Sequence, residues 1–206
     1  PCVPTVDSPN GGESWEEGTV QEIRWDPVAG CDAEVRLELV RGGTVCQTIA
    51  ASTPNDGSFD WTAQRCGGQT DGYTVRVTGV SCLQSDESDL SFQITPPPCR
   101  IAVASPNGGE SWTVGATQEI VWSLTGECGA NVALDLLRDG SVCLPITAST
   151  PNDGSYFWVA ARCGADMAGY SIRVTEPVSG ATDASEVMAP APDSAGSSTP
   201  SPSTSR

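Results

Sequence analysis

Val35, Leu37 and Leu39 alternate with Glu34, Arg36 and Glu38, the period of two that a strand with one buried face requires. Tyr73-Thr-Val-Arg-Val77 and Leu90-Ser-Phe-Gln-Ile94 repeat the pattern, and shorter runs stand at Glu22–Trp25, Thr44–Ile49 and Ser58–Thr62. Between them lie residues that favour tight turns: Asn10-Gly11, Gly42-Gly43, Asn55-Asp56-Gly57 and Asp71-Gly72. No window of helical period is long enough to compete. About seven short strands in such a stretch predict an all-β sandwich of the immunoglobulin or fibronectin-III kind. Gly72-Tyr73 opens the penultimate strand, where such folds place a tyrosine whose hydroxyl bonds back to the backbone.

The pattern occurs twice. Ser8-Pro-Asn-Gly-Gly-Glu-Ser-Trp15 returns as Ser105-Pro-Asn-Gly-Gly-Glu-Ser-Trp112, and Ala51–Ser58 returns unchanged as Ala148–Ser155, each 97 positions on. Trp25, Trp61 and Tyr73 map in the same way onto Trp122, Trp158 and Tyr170. The expected organisation is a first sandwich over 1–95, a proline linker over 96–98, a second sandwich over 99–188 and a tail over 189–206 rich in Ser, Thr and Pro. The copies part at their last strand. Aligned without a gap, Val187-Met-Ala-Pro-Ala191 stands opposite Leu90-Ser-Phe-Gln-Ile94, so Ala189 replaces Phe92 and Pro190 removes a ladder donor. A weak or missing final strand is expected in the second copy, with an edge open to a segment of another molecule.

Nine cysteines in 206 residues indicate an oxidising, extracellular setting. Four per copy admit three pairings. The order of strands in a sandwich favours Cys2–Cys31 and Cys46–Cys66, with Cys99–Cys128 and Cys143–Cys163 in the second copy. Cys82 has no counterpart and is expected to be unpaired or inter-chain, unless it displaces one member of Cys2–Cys31. Zinc ligation does not fit, because no Cys-x-x-Cys pair and no histidine occur.

The net charge is −16, and all ten basic residues are arginine. An acidic chain without a basic patch gains nothing from phosphate contacts, which excludes nucleic acid as a partner. No apolar run approaches the ~20 residues of a membrane span. A His-based catalytic relay is impossible, and no carboxylate pair is marked out for glycoside chemistry. No catalytic residue, metal site or cofactor is therefore expected. Glu13, Glu110, Asp56 and Asp153 read as turn-capping residues rather than calcium ligands. Trp25, Trp122, Trp61 and Trp158 read as core, whereas Trp15 and Trp112, which follow a Gly-Gly turn, are candidates for stacking on a sugar.

The motif Pro-Asn-Gly-Gly-Glu-Ser-Trp, the Asn-Asp-Gly-Ser block with its tryptophan three residues on, and the Gly-Tyr-x-Val/Ile-Arg-Val strand together give each copy a recognisable likeness. Each resembles the Ser/Thr-rich, lipid-anchored cell-surface domain family related to the amino-terminal part of yeast cell-wall glucan-assembly proteins. That resemblance implies an extracellular immunoglobulin-like domain, associated with a wall or surface and without established catalytic residues. The four cysteines per copy depart from the usual pattern. The tail resembles the glycomodules of hydroxyproline-rich wall glycoproteins, and O-linked sugars are expected on Ser197, Ser198, Thr199, Ser201, Ser203 and Thr204. The expected function is that of a non-enzymatic structural or adhesive protein of a cell surface, wall or filament, with self-association or other surface proteins as partners. A module that binds wall polysaccharide is the alternative.

Overall fold

The computed structural model describes residues 3–27 and 32–189. Among them every regular element is a strand. The first unit, which ends at Pro97, contains β1 (Thr5–Ser8), β2 (Ser14–Glu16), β3 (Val20–Asp26), β4 (Glu34–Arg41), β5 (Thr44–Pro54), β6 (Ser58–Thr62), β7 (Tyr73–Gly79), β8 (Ser85–Glu87) and β9 (Gln93–Thr95). Two sheets form, in the orders β1-β3-β6 and β5-β4-β7-β8, and β2 pairs with β9 in parallel.

Alternation along the strands decides which side chains meet between the sheets. Ile23 and Trp25 from β3 pack against Leu37 and Leu39 from β4 and Val75 and Val77 from β7, all buried. The Trp25 indole donates to Asn55 Oδ1 at 2.7 Å, and the Asn55 amide donates to the Asp32 carbonyl at 2.9 Å. That is why Asn55 opens the Asn-Asp-Gly turn: it satisfies a buried indole and ties two loops together.

The second unit repeats the plan with β10 (Arg100–Ser105), β11 (Thr117–Thr125), β12 (Asn131–Arg138), β13 (Ser141–Pro151), β14 (Ser155–Val159), β15 (Tyr170–Thr175) and β16 (Thr182–Ala184). Its sheets run β10-β11-β14 and β13-β12-β15-β16. Trp122 and Asn152 reproduce the indole contact at 2.9 Å. Among the described residues this unit has no equivalent of the β2–β9 pair.

The tyrosine corner forms in both units. The Tyr73 hydroxyl donates to the Gln69 carbonyl at 2.6 Å and accepts from the Cys66 N–H at 2.9 Å. The Tyr170 hydroxyl reaches the Asp166 carbonyl at 3.1 Å. Glu38 departs from its expected place on a solvated face. It is only 7% exposed, because Arg36 and Arg76 cover it at 3.3 and 3.9 Å.

Three disulfides lie among the described residues. Cys46–Cys66 joins edge strand β5 to the segment after β6, which belongs to the other sheet, and Cys143–Cys163 does the same in the second unit. Cys99–Cys128 joins the start of β10 to the loop between β11 and β12. The pair Cys2–Cys31 falls outside the described residues, as do Pro190 and the six tail hydroxyls.

Candidate functional site

The Pro-Asn-Gly-Gly-Glu-Ser-Trp motif builds one end of each sandwich. The Glu13 carboxylate accepts the N–H groups of Asn10 and Gly11, each at 2.8 Å, so the glutamate closes its own turn. Burial opposes its ionisation, but these backbone donors outweigh it and hold the carboxyl below its ordinary value. Gly11 has φ 129° and lies against Leu90, so a side chain would be both strained and obstructed there. The turn delivers Trp15 onto β2, with its ring 4.9 Å from Phe92 and 6.2 Å from Trp61. Trp15 is 7% exposed. The expectation of a sugar-stacking face at Trp15 is therefore corrected, since Phe92 and Trp61 cover the ring.

The first unit completes this end with β9. Gln93 N–H donates to the Glu13 carbonyl at 2.8 Å, Ile94 N–H to the Thr70 carbonyl at 2.9 Å, and Glu17 N–H to the Thr95 carbonyl at 2.8 Å. Ile94 is fully buried. The Glu17 carboxylate then seals the rim, accepting the Arg65 backbone N–H at 3.0 Å and pairing with its guanidinium at 2.8 Å. Those two contacts, the backbone donor foremost, hold the Glu17 carboxyl below its ordinary value.

In the second unit the same end is built differently among the described residues. Met188 N–H donates to the Tyr170 carbonyl at 2.8 Å, as Phe92 N–H does to Tyr73. Ser185 Oγ accepts from Ile172 N–H at 2.9 Å, as Ser88 Oγ does from Val75. Three residues separate Ser88 from Phe92 and two separate Ser185 from Met188, so the second copy is one residue shorter here. Met188, not Ala189, therefore takes the place of Phe92, which corrects the ungapped alignment. Val114 stands where Glu17 does, and Arg162, exposed, has no carboxylate partner among the described residues. A small, mostly apolar groove of about 50 Å³ lies between Trp112, Leu136, Trp158, Tyr170 and Met188, with Arg162 also in its lining. Trp112 is half-buried and lies 6.3 Å from the tilted Trp158 ring.

At the turn after the penultimate strand the copies exchange a carboxylate. Asp32 accepts the N–H groups of Cys82 at 2.8 Å and Ser81 at 3.0 Å. The Cys82 N–H is the main reason its carboxyl lies below the ordinary value, and the Cys82 side chain adds to the effect. In the second unit Gly129 replaces Asp32, and Glu176, which replaces Gly79, reaches the same turn. It accepts Val178 and Ser179 N–H at 2.7 Å, together with the Ser179 hydroxyl. That hydroxyl is the first cause of its lowered pKa. Cys82 itself is exposed and occupies the position of Ser179 in this turn.

No group of three metal-ligating side chains is assembled among the described residues, and no helix there is long and apolar enough to cross a membrane. Two sheets packed face to face, a tyrosine corner in each unit and a repeated tandem define the class as immunoglobulin-like β-sandwiches. More particularly, residues 8–95 match the family described as Kre9/KNH-like N-terminal Ig-like domain, which relates the first unit to yeast glucan-assembly proteins. No curated protein matches the chain. Solved structures of similar architecture include the Clostridium thermocellum CbhA fibronectin(III)-like modules, at 18% identity and TM-score 0.31 over 91% of this chain and 94% of theirs. The DIP-gamma IG1+IG2 structure gives 11% identity and TM-score 0.32 over 90% and 95%. Likeness at this level adds nothing beyond the strand architecture described above.

Proposed function

We propose that the chain is a non-enzymatic, extracellular structural or adhesive protein of a cell surface, wall or filament, and that it associates head to tail through its second unit. The observation that carries this reading is the contrast between the two ends bearing the tryptophan: β9 closes the first, whereas among the described residues the second presents an apolar groove lined by Trp112, Trp158 and Arg162. A second feature supports contact with other protein. β14 turns Phe157 and Val159 outward, 67% and 57% exposed, at positions where β6 carries Asp60 and Thr62. The stapled sheets suit durability outside the cell, and the match of the first unit to the glucan-assembly relatives agrees with a wall or surface setting. Sedimentation of the unreduced protein over a wide concentration range tests the reading. Species growing beyond the monomer are expected, and a monomer at the highest concentration would remove self-assembly.

A wall-polysaccharide ligand is the second reading, favoured by the partial exposure of Trp112 in the groove. Glycan-array binding that Trp112→Ala abolishes while the fold survives would support it.

A further inference from the structure

β14 ends the sheet β10-β11-β14, as β6 ends β1-β3-β6. Bonds to its neighbour fix which way its main chain faces. Trp122 N–H donates to the Gly154 carbonyl and Ala160 N–H to the Ala116 carbonyl, both at 2.9 Å. Gly154, Tyr156, Trp158 and Ala160 therefore aim their N–H and C=O groups at β11, and Ser155, Phe157 and Val159 aim theirs away from it. On that side no strand pairs among the described residues. The Ser155 N–H has a contact there, with Asp153 Oδ1 at 3.4 Å. Such an edge is a template for another chain unless charge, proline or a bulge blocks it.

The first unit blocks its edge with charge. Asp60 stands on β6 at the position of Phe157, across from Glu22 and its partner Arg24. In the second unit Phe157 replaces Asp60, Val159 replaces Thr62 and Val121 replaces Arg24. β14 carries no charged side chain and no proline, and its ladder with β11 runs without a bulge. Charges of opposite sign flank it instead: Asp153 precedes it and Arg162 follows it, both exposed.

We propose that β14 is the contact strand for a second copy of this chain, pairing antiparallel with its own counterpart about a twofold axis at Phe157. Phe157 then exchanges main-chain bonds with its counterpart, and Ser155 of each copy does so with Val159 of the other. The two phenylalanines stand side by side on the outer face. Ala161 of each copy faces Asp153 of the other, which sets Arg162 beside that carboxylate at both ends of the contact. Asp60 in the same arrangement on β6 would meet a like charge. This contact rests on the reading that copies of the chain associate, and adds to the head-to-tail one an isologous interface that does not use the groove.

Sedimentation equilibrium of the full chain tests it. Phe157→Asp with Val159→Thr, which restores the residues of the first unit, should weaken dimerisation about tenfold or more, as expected for losing a buried apolar side chain. Both side chains are exposed, so the circular dichroism spectrum should not change. Arg162→Gln should weaken dimerisation several-fold. In a Cys82→Ser background, Phe157→Cys should yield a covalent dimer on mild oxidation, because directly opposed positions lie about 5.5 Å apart. Glu119→Cys, exposed on the same face but one strand further in, should not. Dimerisation unchanged by the double variant, or cross-linking as fast at position 119 as at 157, would overturn the proposal. Larger species that survive the double variant but vanish with Trp112→Ala keep the head-to-tail reading and sink this one. The reverse result keeps the twofold contact alone, and a wild-type chain that stays monomeric at the highest concentration removes both.

Discussion

Asp32 and Glu176 reach equivalent turns from neighbouring strands, and each faces a glycine where the other copy has its carboxylate. A side chain at Gly129 would run into the Glu176 carboxylate, and one at Gly79 into that of Asp32. The turn thus needs one carboxylate and admits only one. Glu176→Gly alone and Gly129→Asp alone are each expected to destabilise the second unit by several degrees. The double variant, which copies the first unit, should recover most of the loss, as thermal unfolding of the three variants will show. The acid dependence has a definite sign. Glu176 is held below its ordinary value near 4.5. Its contribution is therefore complete above that pH and fades as pH falls through the lowered value. Glu176→Gln should flatten this part of the stability curve. Tyr73→Phe should cost about 1–3 kcal/mol in chemical denaturation, because it leaves the Gln69 carbonyl and the Cys66 N–H unpaired in a half-buried site. The tyrosine was legible beforehand from Gly72-Tyr73. The exchanged carboxylate was not, since each of its four positions looks ordinary until strand pairing brings them together.

Among the elements, periodicity located β6 at Ser58–Thr62 to the residue, and it found β3, β4 and β7 with short extensions at their ends. It missed β8, Ser85–Glu87, which is polar throughout and held at the sheet edge by ladder bonds and the Arg76–Glu87 pair at 2.9 Å. It also set Ala189 rather than Met188 opposite Phe92, because only hydrogen bonds reveal that Met188 has taken that place. The paired cysteines act at this scale too. Each bond from β5 or β13 to the opposite sheet spans 20 residues of sequence. On the chain-entropy account, a loop of that length restricts the unfolded state by about 3 kcal/mol. Cys46→Ala with Cys66→Ala should lower unfolding free energy by about that amount while leaving near-native far-ultraviolet circular dichroism at low temperature.

For the whole molecule, charge and apolar surface pull association in opposite directions. A net charge of −16 repels like copies, and that repulsion is screened over about 10 Å at 0.1 M salt. The groove and the outward Phe157 and Val159 contribute apolar burial that salt does not weaken, whereas a carboxylate pairing with Arg162 is itself screened. If filling of the groove drives assembly, raising ionic strength should shift sedimentation toward larger species. If the arginine pair dominates, the same change should shift it toward monomer. The variant Trp112→Ala sharpens the distinction, because it removes a wall of the groove and leaves the net charge untouched. Its assembly should be weak at every salt concentration if the groove is the contact. Salt-promoted assembly that survives the loss of Trp112 would instead move the contact to the exposed face of β14.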